Sequence, residues 1–331
     1  MPKITLQDKV FVAGSNGMVG SSIVRKFVKL GFNLSNNGGG LILPKRKDLD
    51  LLNNETVNQF FNFKKPDIVI LAAAKVGGIY ANSTYSGDFI LENLKIQTNI
   101  IEAAWKFGTR RLLFLGSSCI YPKFAHQPIS EESLLSGPLE PTNASYAIAK
   151  IAGIKLCESL RKQYGFDAIS LMPTNLYGPG DNYHEKNSHV MAAFIKNFYE
   201  AKKSNTPFVN CWGTGSPYRE FLHVDDLAEA SIFALENWDP NSKDAPKDKY
   251  GNILTYLNVG TGKDLTIKEL ALKVSRALNY EGDITWDKSK ADGTPKKQLD
   301  ISRMKNLGWE AKINIDDGIK STITEYKKSL I

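Results

Sequence analysis

The fold is decided near the start of the chain, where residues 9–20 are KVFVAGSNGMVG. Lys9–Ala13 predicts a buried strand, and apolar residues between 19 and 30 recur at helical spacing. Gly14, Gly17 and Gly20 separate the two, where a tight turn can bring backbone amides close to a pyrophosphate at a helix N-terminus. Because a side chain at those positions would obstruct that approach, the stretch predicts a dinucleotide-binding loop rather than an ordinary glycine-rich turn.

The alternation of strand and helix continues downstream. Short apolar runs predict further strands at 41–43, 68–71, 112–115 and 168–172. Helical stretches lie around 89–105 and 146–164. A polar run at 237–249 has the composition of an exposed loop ahead of another strand near 256–259. This order predicts an α/β fold with a doubly wound parallel sheet of the Rossmann type and at least five strands.

Composition limits the classes of function. The chain has 331 residues, 42% of them hydrophobic, and no apolar run of eighteen residues. Its first eight residues lack the features of a signal peptide, so we expect a cytoplasmic protein without a membrane segment. Neither the three cysteines nor the four histidines show metal-ligand spacing, and no metal is expected.

The net charge of +7 is compatible with nucleic acid, an acidic membrane surface or a polyanionic small substrate, and composition alone does not choose among them. The basic residues are scattered, with short clusters at 45–47 and 296–297. Neither cluster alternates with aromatic residues that could stack on bases. A small phosphorylated substrate therefore fits the sequence better than nucleic acid does.

The residues after the second predicted strand bear on the choice of cofactor. An acidic side chain there would hydrogen-bond the ribose of NAD, whereas basic side chains would pair with the extra phosphate of NADP. Residues 43–47 are LPKRK, and Arg46 is the best candidate for the phosphate contact. Asp48 lies close enough that an error of two residues in the strand end would change the assignment. The sequence favours NADP(H).

A second region begins where the regular alternation of strand and helix ends, in the turn-rich run at 177–182. We predict an NADP-binding domain over residues 1–180, which also receives segments near 219–236 and 256–262. A smaller mixed α/β domain over residues 181–331 is expected to bind predominantly the substrate.

Tyr146 and Lys150 are four residues apart, which places a phenol and an ammonium on one face of a helix. A phenol ionises near pH 10, and a neighbouring ammonium favours the phenolate, so the tyrosine could exchange a proton with a carbonyl group near neutrality. Such pairs are usually structural on helix surfaces. Together with the dinucleotide loop, however, this pair indicates carbonyl reduction.

Ser117 follows the fourth predicted strand, at the sheet edge where ligands of such folds bind. Its hydroxyl could hydrogen-bond a substrate oxygen while Tyr146 delivers a proton. The structural alternative is a serine at a strand end that caps local backbone.

The glycine loop, Ser117 and the Tyr146/Lys150 pair together resemble the extended short-chain dehydrogenase/reductase family, whose larger members act mostly on nucleotide-sugars. Five segments resemble the branch of this family that converts GDP-4-keto-6-deoxy-D-mannose to GDP-L-fucose: 72–79, 115–122, 172–179, 187–190 and 219–226. The resemblance implies epimerisation at carbons 3 and 5 of the hexose, followed by reduction of the 4-keto group by NADPH. It also implies a homodimer formed through helices like those at 89–105 and 146–164.

The resemblance also implies the catalytic roles. Cys119 would be the base and His189 the acid of epimerisation, since a strand end close to cationic groups could favour a thiolate. Tyr146 would give the proton to the carbonyl oxygen, and Lys150 would also touch the nicotinamide ribose. Cys119 could instead be a small buried hydrophobe, and His189 could cap or pack the helix that follows it.

Binding residues are carried over in the same way. Trp212, Arg219 and Asp292 would contact the substrate, the first two through an aromatic face and a bidentate cation. The residues expected to contact the cofactor are Gly14, Ser15, Asn16, Gly17, Met18, Val19, Gly20, Arg46, Leu115, Gly116, Ser117, Ser118, Lys150, Pro173, Thr174, Asn175, Leu176 and His189.

Two departures from the family pattern weaken parts of this prediction. Ser15 and Asn16 replace the usual His-Arg pair in the glycine loop, which removes a cation and leaves Arg46 with more of the phosphate contact. Asn197 occupies a position that is often basic, and we assign it no role. Other nucleotide-sugar epimerases and reductases remain alternatives, but a dehydratase would need an acidic pair where Ser118 and Cys119 stand.

A protein of this fold that senses nucleotides or binds RNA without catalysis is an alternative from another class. Such proteins tend to lose the tyrosine or the lysine of the pair. Because Tyr146 and Lys150 are both present, the sequence favours an enzyme.

Overall fold

A computed structural model describes residues 4–34, 38–185, 187–290 and 292–330. The strands are β1 (Lys9–Ala13), β2 (Gly40–Ile42), β3 (Ile68–Leu71), β4 (Arg111–Leu115), β5 (Ala168–Pro173), β6 (Asn175–Tyr177), β7 (Phe208–Trp212), β8 (Tyr218–His223), β9 (Tyr256–Val259), β10 (Asp264–Thr266), β11 (Asp283–Asp287) and β12 (Lys296–Lys297). The helices are α1 (Met18–Lys29), α2 (Asn54–Lys64), α3 (Ile79–Thr84), α4 (Ser86–Lys106), α5 (Ala144–Tyr164), α6 (Val190–Lys203), α7 (Val224–Asn237), α8 (Ile267–Leu278), α9 (Ser302–Asn306) and α10 (Ile315–Lys328). Short 3₁₀ turns cover Ser118–Ile120, Glu131–Ser133 and Pro141–Asn143.

A parallel sheet with the strand order β2-β1-β3-β4-β5-β9 forms the centre of the molecule. Its inner strands are apolar because both faces are covered; β3 and β4, for example, are buried along their whole length. The strand order reverses direction between β1 and β3. A crevice opens at such a point beside the carboxyl ends of the strands, which is where ligands of this architecture bind.

The helices that cover the sheet form two groups. Helix α1 packs against α7, and Ser22 donates to Asp225 at 2.5 Å between them. Helices α2, α4 and α5 pack side by side. Right-handed crossovers from β1 to β2 and from β3 to β4 run in opposite directions along the sheet, so the two groups lie on opposite faces. The predicted doubly wound sheet is confirmed, with six strands.

A second, smaller layer of structure is built around β8. Strand β10 pairs with it in antiparallel orientation, while β6 and β12 pair with it in parallel. Strands β7 and β11 form a separate parallel pair. Helices α6, α8 and α10 bury a distinct apolar core that includes Phe198, Val274 and Ile323. The expected smaller mixed α/β part is thus confirmed as part of the fold class.

The two parts are interleaved along the sequence. Strand β9 pairs with β5 in the central sheet, and α7 packs on α1, although both follow β8 in the chain. Of the segments expected to return to the first domain, 224–236 packs on α1 and 256–259 joins the central sheet, whereas 219–223 lies in β8 of the second layer. The boundary at residue 180 stays a prediction. No helix in the described part of the chain is long and apolar enough to cross a membrane.

The polar run at 237–249 is less exposed than its composition predicts. Trp238 is fully buried, and Ala245 is buried as well. Arg111 explains the burial of Trp238, because its guanidinium donates to the carbonyl oxygens of Leu235 and Trp238. The expectation of an exposed loop was therefore wrong at Trp238, where Arg111 of β4 holds the chain against the core.

Candidate functional site

The loop between β1 and α1 has the close backbone approach that the glycines predicted. Gly14 has a positive φ of 85°, and a Cβ there would lie 2.7 Å from the backbone nitrogen of Ala73. A Cβ on Gly20 would lie 2.1 Å from the carbonyl oxygen of Gly14. A side chain therefore fits at neither position, and α1 begins directly against the loop.

The N-terminus of α1 suits an anion. Gly17 precedes the helix without a side-chain cap, and the first turn carries no acidic residue. Backbone amides and the helix dipole at such an end favour a phosphate group. Met18 and Val19 start the helix, while Ser15 is buried and Asn16 is exposed. The described residues of this loop therefore fit the pyrophosphate of a dinucleotide.

Arg46 is exposed on the turn that follows β2. The strand ends at Ile42, one residue before the end that the sequence predicted. Asp48 is exposed on the same turn and donates its backbone N–H to the carbonyl oxygen of Lys45 at 2.9 Å. Both side chains remain accessible, so this geometry does not by itself choose between NADP and NAD.

Ser117 lies where β4 ends. Its hydroxyl oxygen accepts a hydrogen bond from the backbone N–H of Cys119 at 3.2 Å, so it caps the short turn over Ser118–Ile120. Its hydroxyl also lies close enough to the Tyr146 phenol to act against the rise in the pKa of that group. The capping role and the position beside the phenol therefore occur together in one residue.

Tyr146 and Lys150 face the same region from the first turns of α5. The Lys150 ammonium donates to the carbonyl oxygen of Leu115 at 2.8 Å and lies 5.9 Å from the centre of the Tyr146 ring. Burial lowers the pKa of Lys150 to about 7. The amine is therefore held by β4 as well as directed toward the phenol.

The expectation that the neighbouring ammonium of Lys150 lowers the pKa of Tyr146 was wrong. Burial raises the pKa of Tyr146, the charge of Cys119 raises it further, and the hydrogen bond with Ser117 only partly offsets them. The cost of desolvating the phenolate outweighs the favourable effect of the Lys150 amine on it. The positive charge of that amine is itself disfavoured by burial. A protonated phenol at neutral pH nevertheless suits the donation of a proton to a carbonyl oxygen.

Cys119 differs from a buried apolar cysteine. It is partly exposed, and its sulfur accepts hydrogen bonds from Asn143 Nδ2 and Lys297 Nζ, each at 3.5 Å. Cys157 shows the contrast, because burial raises the pKa of its thiol to about 12. Asn143 and Lys297 thus bring two hydrogen-bond donors to this sulfur, an environment that suits a base.

His189 precedes α6 without capping it through its side chain. The ring keeps accessible surface, yet surrounding protein atoms and the charge of Lys297 lower its pKa. The chain just before it is fixed by a hydrogen bond of 3.2 Å from Gly78 N–H to the carbonyl oxygen of Asn187. Lys297 therefore links His189 electrostatically to Cys119.

The three predicted substrate residues also lie together. Asp292 accepts hydrogen bonds from the backbone and hydroxyl of Thr214, two residues after Trp212, at 2.8 Å each. A Cβ on Gly293 would lie 3.4 Å from Arg219 Nη2. Burial lowers the pKa of Arg219, and the charges of Cys119 and Asp292 oppose that effect. The arginine therefore lies within electrostatic range of both Asp292 and the thiol.

Two backbone segments border the site as the sequence indicated. Gly116 lies against Met172, and Ser118 is buried. After β5, Thr174 and Asn175 both donate to the carbonyl oxygen of Glu220, at 3.2 and 2.8 Å. Pro173 ends β5 and Leu176 lies in β6. The side chains of Thr174 and Asn175 thus already have partners, so their expected cofactor contacts stay a prediction.

Sequence reasoning missed Asn143 and Lys297. It treated Lys296 and Lys297 as one solvated cluster, but neighbouring residues of a strand point to opposite sides. Lys296 pairs with Asp264 at 3.2 Å, whereas Lys297 reaches Cys119. The available signal was the strand alternation, but nothing local indicated that the strand would lie beside the cysteine.

The chain is similar to known proteins over nearly its whole length. A model of the NAD dependent epimerase/dehydratase family matches residues 10–247. GDP-L-fucose synthase 1 of Arabidopsis thaliana is 52% identical over 322 residues, 97% of this chain and 94% of that protein. GDP-L-fucose synthase of Escherichia coli (strain K12) is 51% identical over 320 residues, 96% of this chain and 95% of that protein.

Solved structures agree. GDP-mannoheptose C4 reductase from Campylobacter jejuni, with NADP bound, superposes with a TM-score of 0.86 at 36% identity, over 98% of this chain and 99% of that chain. Together with the sequence relatives, this confirms the resemblance that the motifs predicted.

Proposed function

Since the chain belongs to the NAD dependent epimerase/dehydratase family, we propose that it converts GDP-4-keto-6-deoxy-D-mannose to GDP-L-fucose with NADPH. The enzyme is an NADP-dependent oxidoreductase that also epimerises its substrate. The relatives named GDP-L-fucose synthase support this activity across nearly the full chain. The bound NADP in a related reductase supports the cofactor.

Epimerisation requires a base and an acid at carbons next to a ketone. Hydrogens on such carbons are acidic because the resulting carbanion delocalises into an enolate. We assign the base to Cys119, whose thiolate takes the proton, and the acid to His189, whose protonated form returns one to the opposite face and is a stronger acid because its pKa is lowered. Each inversion leaves the thiol protonated and the imidazole neutral, and exchange with solvent restores both before the next inversion.

Reduction of the 4-keto group uses the second set of residues. NADPH supplies a hydride to the carbonyl carbon. We assign to Tyr146 the donation of its phenolic proton to the carbonyl oxygen, while Ser117 hydrogen-bonds that oxygen. Lys150 holds the end of β4 through Leu115 and lies against the phenol. The raised pKa of Tyr146 keeps the proton available until the oxygen gains negative charge.

The observation that carries this proposal is the environment of Cys119. A partly exposed sulfur accepts hydrogen bonds from an ammonium and an amide at 3.5 Å, and it lies two residues from Ser117, which is beside Tyr146. A reductase that only transfers hydride has no need of a sulfur held in this way. We assign to Trp212, Arg219 and Asp292 the contacts that hold the GDP-sugar.

The decisive experiment supplies GDP-4-keto-6-deoxy-D-mannose and NADPH in deuterated water. We expect oxidation of NADPH and a GDP-L-fucose product that carries deuterium at carbons 3 and 5. Oxidation without label would reject the epimerase half and favour a simple nucleotide-sugar reductase. Label without oxidation would reject the reductase half.

We also propose a homodimer and a cytoplasmic location. Leu91 on α4 and Ile148 on α5 are about half exposed, at 54% and 47%, on two helices that pack together. Exposed apolar side chains on adjacent helices are typical of an interface between subunits. Sedimentation of the purified protein at micromolar concentration tests this proposal, and a monomer would contradict it.

A further inference from the structure

Glu140 is a nearly buried carboxylate on the turn that leads into α5. It is 7% exposed and directly precedes the 3₁₀ turn Pro141–Asn143. Its Oε2 accepts from Lys123 Nζ at 2.9 Å and from the Thr294 hydroxyl at 3.4 Å. Its Oε1 accepts from the backbone N–H and the hydroxyl of Thr142, at 3.4 and 3.3 Å. One carboxylate therefore joins two segments that are distant in sequence.

Those two segments are the ones that bring donors to Cys119. Asn143 ends the turn that Glu140 caps, and Lys297 lies three residues after Thr294. Glu140 and the donor residues line one small cavity beside Cys119, with a volume of about 10 Å³. Such a volume corresponds to about one water molecule. The carboxylate, both donors and the thiol therefore belong to one packed cluster.

The carboxylate of Glu140 is ionised at neutral pH. Burial acts to raise its pKa, but the hydrogen bond from Lys123 and the bonds from Thr142 outweigh that effect, so the pKa is lowered. The charge of Glu140 also acts on Arg219. A charged acceptor makes stronger hydrogen bonds than a neutral one, which stiffens the link between the two segments.

We propose that Glu140 is a positioning residue for epimerisation, which holds the 141–143 turn and the 294–297 segment at the spacing where Asn143 and Lys297 both reach the sulfur of Cys119. This inference rests on the proposed function. Its effect passes through the donors rather than through contact with the substrate. Removing the carboxylate frees both segments, and the ammonium moves away from the thiol.

The test compares Glu140→Ala and Glu140→Gln with Glu132→Ala. Glutamine keeps an oxygen acceptor for Thr142 but presents an NH2 group to Lys123 in place of a charged acceptor, so it should rescue the geometry only in part. Glu132 is the matched control, because it is a partly buried carboxylate that pairs with Arg303 on another turn. Three readouts are needed. The first is deuterium exchange at carbons 3 and 5 of GDP-4-keto-6-deoxy-D-mannose with NADP⁺ present, and the second is NADPH formation from GDP-L-fucose and NADP⁺. The third is the pH profile of iodoacetamide alkylation.

Alkylation reports on Cys119, since Cys157 and Cys211 are buried. The charged or titratable groups that face the thiol are Lys297 from β12, Arg219 from β8, and Tyr146 from α5. Glu140 itself faces it across the small cavity. Withdrawal of Asn143 and Lys297 removes both hydrogen bonds to the sulfur, so the alkylation profile of Glu140→Ala differs from that of the wild type.

We expect Glu140→Ala to lower exchange about tenfold while NADPH formation stays within about twofold of wild type, because misplaced donors affect only the thiol step. Glu140→Gln falls between Glu140→Ala and the wild type in exchange, and Glu132→Ala changes neither activity. Any one of three results overturns the inference: wild-type exchange in Glu140→Ala, an equal fall of both activities, or an alkylation profile that is the same as in the wild type. Absence of exchange in the wild type would instead reject the proposed function, and the alkylation profile would still decide the role of Glu140.

Discussion

At the scale of single residues, the site separates into two chemical sets. Cys119 and His189 are linked through Lys297, whereas Tyr146 is linked to Ser117 and lies beside Lys150. The two sets are adjacent in space but differ in the charges that surround them. Substitutions in one set should therefore leave the chemistry of the other set largely intact.

The two sets give separable variants. We expect Cys119→Ser to suppress deuterium incorporation at carbons 3 and 5, because an alcohol is a far weaker acid than a thiol and does not provide the base. Tyr146→Phe should spare the exchange but reduce NADPH oxidation by at least about 100-fold, since the proton donor is lost. Mass spectrometry and NADPH absorbance measure the two steps. Unchanged exchange in Cys119→Ser would mean that the base is another residue.

Lys297 should control the titration of His189. Burial and the positive charge of Lys297 both lower the pKa of the imidazole. Lys297→Met removes the charge, so we expect the pKa of His189 to rise toward its ordinary value of 6.5. NMR titration of the ring measures this change. His223 is the control, because burial also lowers its pKa but Lys297 does not contribute; an equal shift of both rings would contradict the assignment.

At the scale of elements, the loop between β1 and α1 shows how packing restricts sequence. Gly17 and Gly20 lie in the same motif but meet different surroundings. A Cβ on Gly17 would be 3.5 Å from the Gly14 carbonyl oxygen, an ordinary contact, whereas a Cβ on Gly20 would be 2.1 Å away. Packing within the fold therefore requires a glycine at position 20. At position 17 the fold tolerates a side chain, so the glycine there matters for the space that it leaves to the ligand.

This difference predicts distinct outcomes for two alanine variants. Gly20→Ala should lower the free energy of unfolding by about 1–3 kcal/mol and also weaken NADPH binding, because the helix must move away from the loop. Gly17→Ala should keep wild-type stability within about 0.5 kcal/mol but still weaken NADPH binding. Urea unfolding without cofactor and fluorescence titration with NADPH measure the two quantities. Similar destabilisation in both variants would contradict this explanation.

At the scale of the whole molecule, the site is assembled from both parts of the fold. The central sheet supplies the dinucleotide loop, Ser117 and α5, while β8, α6 and the 292–297 segment bring Arg219, His189 and Lys297. Burying ionisable groups in this junction has an energetic cost. Lys150 illustrates it, because its side chain is 3% exposed and its pKa falls to about 7.

The burial of Lys150 makes global stability depend on pH. Between about pH 7 and pH 10.5 the unfolded chain keeps the lysine proton while the folded chain has lost it, so the stability of the wild type rises with pH in that window. Lys150→Met lacks this dependence. Without cofactor, we expect the free energy of unfolding of Lys150→Met to exceed that of the wild type at pH 7. Because the wild type gains stability as the pH rises, this difference should be smaller by roughly 2 kcal/mol at pH 9.

Urea unfolding at the two pH values measures this effect. Lys155→Met is the matched control, since Lys155 lies on the same helix but is exposed and pairs with Glu158. The control should show no such change between pH 7 and pH 9. An advantage of Lys150→Met that does not vary with pH would contradict the prediction.

The sequence by itself determined the central sheet, the glycine loop and the Tyr146/Lys150 pair. These features depend on local patterns: apolar runs make strands, a spacing of four places side chains on one helix face, and glycines in a loop permit close backbone approach. Their resemblance to a known family extended the prediction to Cys119 and His189. Local patterns were sufficient because each strand, turn or helix face is formed by residues close together along the chain.

Only the tertiary structure decided which groups surround Cys119. Asn143 and Lys297 reach its sulfur from 24 and 178 residues away, and Glu140 joins their segments. The same is true of Trp238, whose burial depends on Arg111, and of the raised pKa of Tyr146, which depends on desolvation. Burial and long-range contacts are properties of the folded chain, so no spacing in the sequence contains them.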